Sequence, residues 1–123
     1  MADIDLFKDI NDTFGHQRGD EAIQKVAKLL EQSVRKDDVV IRYGGDEFMI
    51  VFFAITREDL EGKLSFLKSE LRKITLENNP EIRITMSFGA AFGTELVNNL
   101  IGTADKALYE SKKIRDTYTV IEN

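Results

Sequence analysis

The chain has no cysteine and no tryptophan, and only one proline and one histidine among its 123 residues. Without cysteine it can form neither a disulfide nor a thiolate metal site, which fits the cytoplasm. The lone imidazole, His16, has no serine or cysteine nearby to activate and reads as structural. No apolar run is long enough to cross a bilayer, and the acidic N-terminus lacks a signal-peptide pattern. Basic residues are in the minority, 17 against 22 acidic ones, for a net charge of −5. That balance argues against nucleic acid as the main partner, because a phosphate backbone calls for a basic footprint. A small anionic ligand remains compatible if a metal or local cations offset the charge.

What is present fits one globular domain, with 42% hydrophobic and 32% charged residues. Strand and helix signals alternate without repeats or linkers. Met1 to Asp5 reads as a short strand, and Leu6 to Phe14 as a turn or short helix ending at Gly15. A helix is expected from about Asp20 to Val34, with Ile23, Val26, Ala27, Leu30 and Val34 on one face. Val39 to Tyr43 and Phe48 to Phe53 form a hairpin around Gly44-Gly45, since glycine supplies the positive φ of tight turns. The second of these runs is apolar on both faces, which suits the centre of a covered sheet. Thr56 with Asp59 opens a helix carrying Leu60, Leu64, Leu67, Leu71 and Ile74, which ends at Asn78-Asn79-Pro80. A strand over Ile82 to Phe88 stops at Gly89, a helix spans about Thr103 to Lys113, and Tyr118 to Ile121 closes the chain. The order β-α-β-β-α-β-α-β predicts an α+β fold of ferredoxin-like, palm type. Its core is βαββαβ, an antiparallel sheet flanked by helices, with a C-terminal helix and strand added.

Four aspartates stand within ten positions, at Asp3, Asp5, Asp9 and Asp12, and Asp46 and Glu47 follow the Gly-Gly turn. In a strand Asp3 and Asp5 share a face. If that strand lies beside the hairpin, Asp3 meets Asp46 or Glu47. Converging carboxylates must share a proton or bind a cation, and hard oxygen ligands without His or Cys favour Mg²⁺ or Mn²⁺. The plainer reading makes them solvated turn and capping residues. Asp20 reads first as a helix N-cap. Its alternative role, with Asn11, is hydrogen bonding to a base. Arg35-Lys36-Asp37-Asp38 and the Lys112, Lys113 and Arg115 cluster read as cations near helix C-termini. The second cluster could also neutralise phosphates.

Arg42-Tyr43-Gly44-Gly45-Asp46-Glu47-Phe48 resembles the signature of the GGDEF domain, the bacterial diguanylate cyclase. Asp3 to Lys8, Asn11-Asp12, Gly15-His16 and Gly19-Asp20 resemble the family's first block. Thr85 to Ala90 and Ala104 to Tyr109 resemble its later blocks. The resemblance implies a single GGDEF-type domain over residues 1–123, without the family's N-terminal helix and the start of its first strand. It implies condensation of two GTP into cyclic di-GMP with release of pyrophosphate, by a homodimer working with fused or partner sensory domains. Asp46 and Glu47 would be catalytic. Asp3, the Ile4 carbonyl, Asp46 and Glu47 would hold Mg²⁺ or Mn²⁺, in two-metal fashion. Asn11 and Asp20 would read guanine, in place of a purely capping Asp20. Phe7, Lys8, Lys112 and Arg115 would sit near the phosphates, with Arg115 one position earlier than is usual in the family. Arg35 and Asp38 fit an inhibitory product site, with Lys63 or Lys68 as a second cation there. The alternative the resemblance leaves open is an impaired domain or fragment that only binds GTP or cyclic di-GMP.

Overall fold

The computed structural model describes residues 1–122. Its five strands are β1 (Ala2–Ile4), β2 (Val39–Gly44), β3 (Glu47–Val51), β4 (Met86–Phe92) and β5 (Thr117–Glu122). Its four helices are α1 (Phe7–Phe14), α2 (His16–Gln32), α3 (Arg57–Leu71) and α4 (Val97–Lys112). The strands form one sheet in the order β2-β3-β1-β4-β5. The first four pair antiparallel, as expected of the palm-type core, and β5 joins β4 in parallel after the α4 crossover. None of the helices is long and apolar enough to cross a membrane.

The helical periodicities convert directly into packing. Leu60, Leu64, Leu67 and Leu71 of α3 are all buried, and they meet Val26 and Leu30 of α2 over Ile4, Phe48, Met86 and Phe88 of the sheet. Thr56 caps α3 as its spacing predicts, its hydroxyl accepting from the Asp59 N–H at 3.1 Å. The other face of β4 carries α4. Gly89 was expected to end the strand, yet it lies inside β4, which runs on to Phe92. A Cβ there would stand 2.0 Å from the Leu108 nitrogen and 2.4 Å from the Ala104 oxygen. The glycine lets a helix approach the sheet and breaks nothing.

Several boundaries move for identifiable reasons. Helix α2 begins at His16, four residues before Asp20, because Gly15 adopts φ 92° and caps it. Asp20 is therefore not an N-cap. Gly19 lies within this helix, where its missing side chain makes room for Asn11 and Phe7. The hairpin turn falls on Gly45-Asp46, with Gly44 still in β2. Gly45 alone takes positive φ, at 40°. Ile82 and Ile84 are buried, but outside regular structure. Strand β3 lies second from the edge and not at the centre, so Phe48 is buried while Met49 and Val51 stay half-covered.

Candidate active site

Three chain segments converge where β1 ends. The first is β1 itself, whose three residues are all buried at the middle of the sheet. The second is the hairpin turn, whose Asp46 carbonyl accepts from the Ile4 N–H at 3.2 Å. The third is the end of α4. Between them lies a cavity of about 490 Å³ lined by Asp3, Ile4, Asp5, Leu6, Phe7, Lys8, Asp9, Asp46, Lys112 and Arg115. A second cavity of about 370 Å³, between β3, β4 and α4, has no charged side chain in its lining. The chemistry belongs to the first.

Asp3 is the electrostatic centre of the cavity. Its side chain is only 7% exposed, and the Lys112 ammonium forms an ion pair with its Oδ2. Its Oδ1 is buried without a hydrogen-bond partner. Burial pushes the Asp3 carboxyl up to about 6; the Lys112 contact opposes this and the neighbouring Asp46 carboxyl adds to it. Contact with Asp3 in turn raises Lys112 above the ordinary lysine value, its partial burial opposing. An orphaned carboxylate oxygen beside a second carboxylate is short of a cation, which is the electrostatic signature of a hard-ion site. Glu47 stands directly across from Asp3 in the β1–β3 ladder. Among the described residues, no three acidic or imidazole groups converge tightly enough to chelate an ion alone. A hard ion held by Asp3 and Asp46 would need waters or substrate oxygens to complete its shell, as Mg²⁺ commonly does.

The opposite wall suits anions. Leu6 adopts left-handed φ 55° and caps α1, whose first residues, Phe7 to Asp9, line the cavity. The N–H groups of these residues have no partner within the helix and carry the positive end of its dipole. Lys8 and Arg115, both exposed, add positive charge to the lining, and Lys112, also exposed, reaches Asp3 itself. Of the residues singled out by sequence, Asp3, Ile4, Phe7, Lys8, Asp46, Lys112 and Arg115 thus share one cavity. Glu47, Asn11 and Asp20 stand outside its lining. The Asn11 amide rests against Gly19, whose substitution by a Cβ would fall 1.8 Å from its Oδ1. That contact holds Asn11 next to the exposed Asp20.

Arg35 and Asp38 are far from this cavity, at the other end of β2, roughly 20 Å along a six-residue strand. The Asp38 side chain, 2% exposed, accepts from the Arg35 N–H at 2.9 Å, the Phe53 N–H at 3.1 Å and Arg35 Nε at 3.3 Å. Burial would raise the Asp38 carboxyl, but these N–H groups and the guanidinium outweigh it and hold it below the ordinary value. Lys63 donates to the Ser33 carbonyl at 2.5 Å, close to the same clasp. The strand alternation paired Asp5 with Asp3 by sequence but gave it no role of its own; in the structure it lines the cavity and gathers three donors.

The GGDEF family model, described as the diguanylate cyclase GGDEF domain, matches residues 1–117. Diguanylate cyclase DosC of Escherichia coli K12 is 40% identical over 117 residues, covering 92% of this chain and 25% of DosC. Diguanylate cyclase A of Treponema denticola is 37% identical over 92% of this chain and 32% of its own length. The chain thus spans about a quarter to a third of these relatives. The GGDEF domain of DgcB from Caulobacter crescentus, solved in complex with c-di-GMP, superposes with a TM-score of 0.88 at 32% identity. That superposition covers 98% of this chain and 74% of the other. The active GGEEF domain of a Vibrio cholerae diguanylate cyclase gives a TM-score of 0.87 at 28% identity, over 97% and 78% of the two chains. With its signature turn beside the carboxylate cavity and this kinship along nearly its whole length, the chain belongs to the GGDEF domain family of diguanylate cyclases.

Proposed function

We propose that this domain condenses two molecules of GTP into cyclic di-GMP, releasing two pyrophosphates, in a Mg²⁺- or Mn²⁺-dependent reaction between two copies of the chain. The observation that carries this reading is the unpartnered Asp3 Oδ1 beside Asp46, in one cavity with the start of α1, Lys8 and Arg115. Such a site is built for a metal-bound polyphosphate.

In this reading Asp3, Asp46, the Ile4 carbonyl and Glu47 hold the ion. When bound there, Mg²⁺ would neutralise the triphosphate and ease ionisation of an attacking 3′-hydroxyl. The free amides of α1 near Phe7, with Lys8, Lys112 and Arg115, grip the phosphates and orient the α-phosphorus for attack. Asn11 and Asp20 read the guanine edge, the amide donating and accepting and the carboxylate accepting from N–H groups. One cavity takes one triphosphate, so the attacking 3′-hydroxyl comes from the nucleotide of a second copy. Arg35 and Asp38, distant from the cavity, form the product-binding inhibitory site, with Lys63 beside them. The substrate places the reaction in the cytoplasm, and fused or partner sensory domains would govern the encounter of two copies.

The test is product formation. Purified protein incubated with GTP and Mg²⁺ is expected to yield cyclic di-GMP and pyrophosphate by chromatography, and Asp46→Ala to yield neither. A folded, concentrated sample that binds Mn²⁺–GTP yet forms no product would reduce this reading to nucleotide binding alone.

A further inference from the structure

Asp5 has a set of contacts that none of the roles above explains. It follows β1 directly and lines the cavity, yet neither carboxylate oxygen is free. Oδ1 accepts from Ser87 Oγ at 2.6 Å. Oδ2 accepts from Thr85 Oγ1 at 2.7 Å and from the Asp116 backbone N–H at 2.8 Å. Its own N–H donates to the Thr85 carbonyl at 2.9 Å. One side chain therefore fastens the end of β1 to the start of β4 and to the turn between α4 and β5.

That turn needs fastening. Arg115 and Asp116 both adopt left-handed backbone, at φ 66° and 46°. Residues other than glycine disfavour this conformation, so two in succession need outside support. Among the described residues the Asp116 side chain pairs only with Arg72, which is itself 57% exposed. The turn lies three residues past Lys112 and contains Arg115, two of the cations that line the cavity. The Asp5 carboxylate holding the Asp116 N–H therefore fixes the chain next to Arg115 and four residues past Lys112, the end of α4.

We propose that Asp5 is a positioning residue: it touches neither metal nor nucleotide, and it holds the Arg115-Asp116 turn so that Lys112 and Arg115 face the Asp3–Asp46 pair. This rests on the polyphosphate reading of the cavity. It separates Asp5 from Asp3, although the two share a strand pattern. Asp3 keeps an oxygen without a partner, whereas Asp5 has already committed both of its oxygens.

The experiment measures three quantities on the whole chain for wild type, Asp5→Ala, Asp5→Asn, Lys112→Ala and the Asp5→Ala/Lys112→Ala pair. They are Mn²⁺ affinity without nucleotide, Mn²⁺–GTP affinity, and amide hydrogen exchange at residues 115–117. Asp5→Ala is expected to leave Mn²⁺ affinity within about twofold and to weaken GTP binding about tenfold, as expected for loss of a charge-assisted bond. In the Lys112→Ala background it should weaken GTP binding much less, because acting through a partner produces non-additivity. Exchange at residues 115–117 should rise, and Asp5→Asn, which keeps an acceptor for the turn, should recover part of each effect. A loss of Mn²⁺ affinity would make Asp5 a ligand and overturn the proposal, as would full additivity with Lys112→Ala. If wild type binds no GTP, the polyphosphate reading fails by itself. The exchange data then decide alone: unchanged exchange in Asp5→Asn and Asp5→Ala refutes the anchoring role.

Discussion

Replacing Asp3 by asparagine should stabilise the metal-free domain at neutral pH while destroying its ability to hold a divalent ion. Asp3 is buried, and its carboxyl is raised from 3.8 to about 6, chiefly by burial. A carboxyl whose folded value lies above its unfolded one binds protons more readily in the native state. Its contribution is therefore most favourable below pH 4 and is lost as pH climbs toward 6. At pH 7 the shift corresponds to about 3 kcal/mol of destabilisation. Asparagine imitates the protonated carboxyl at all pH values, at the expense of the ion pair with the half-exposed Lys112. The net gain is about 2–3 kcal/mol at pH 7, or roughly 10 °C in Tm for a domain of this size. Thermal unfolding in chelator at pH 7 and pH 4 measures it. The variant should melt higher at pH 7, and near wild type at pH 4, where Asp3 is itself protonated. Added Mn²⁺ should raise the wild-type Tm and leave the variant unmoved. Equal or lower stability of Asp3→Asn at pH 7 would refute the claim that this carboxylate is held against its own solvation.

Two further outcomes follow from the same geometry. Lys112 currently supplies the positive charge at Asp3, so Lys112→Met should bind Mn²⁺ alone about tenfold more tightly but Mn²⁺–GTP about tenfold more weakly. Calorimetry that gave both changes the same sign would contradict its double duty. Gly89→Ala drives a Cβ into the backbone of α4 and should cost about 3 kcal/mol, seen as a Tm fall of roughly 10 °C. A fall within error would mean that α4 does not pack as described.

Much of this protein is legible from local chemistry. Amphipathic spacing identified α3 with its Thr56 cap, and the glycine pair located the hairpin within one residue, because propensity and turn geometry act over a few positions. The carboxylates of the site were likewise marked by their type and by the scarcity of His and Cys around them. Other features were decided at long range. Gly89 reads as a strand end until a helix is packed on it, and Asp20 reads as a cap until Gly15 starts the helix a turn earlier. Asp3 and Asp5 are the clearest pair: by sequence they are two aspartates on one face of one strand. Only the fold, by bringing Lys112 and Asp46 to Asp3 and Thr85, Ser87 and the Asp116 N–H to Asp5, leaves the first with an unpartnered oxygen and commits both oxygens of the second. The composition determined which chemistry was available; burial and partners eighty or more residues away in the chain decided which carboxylate is left free to perform it.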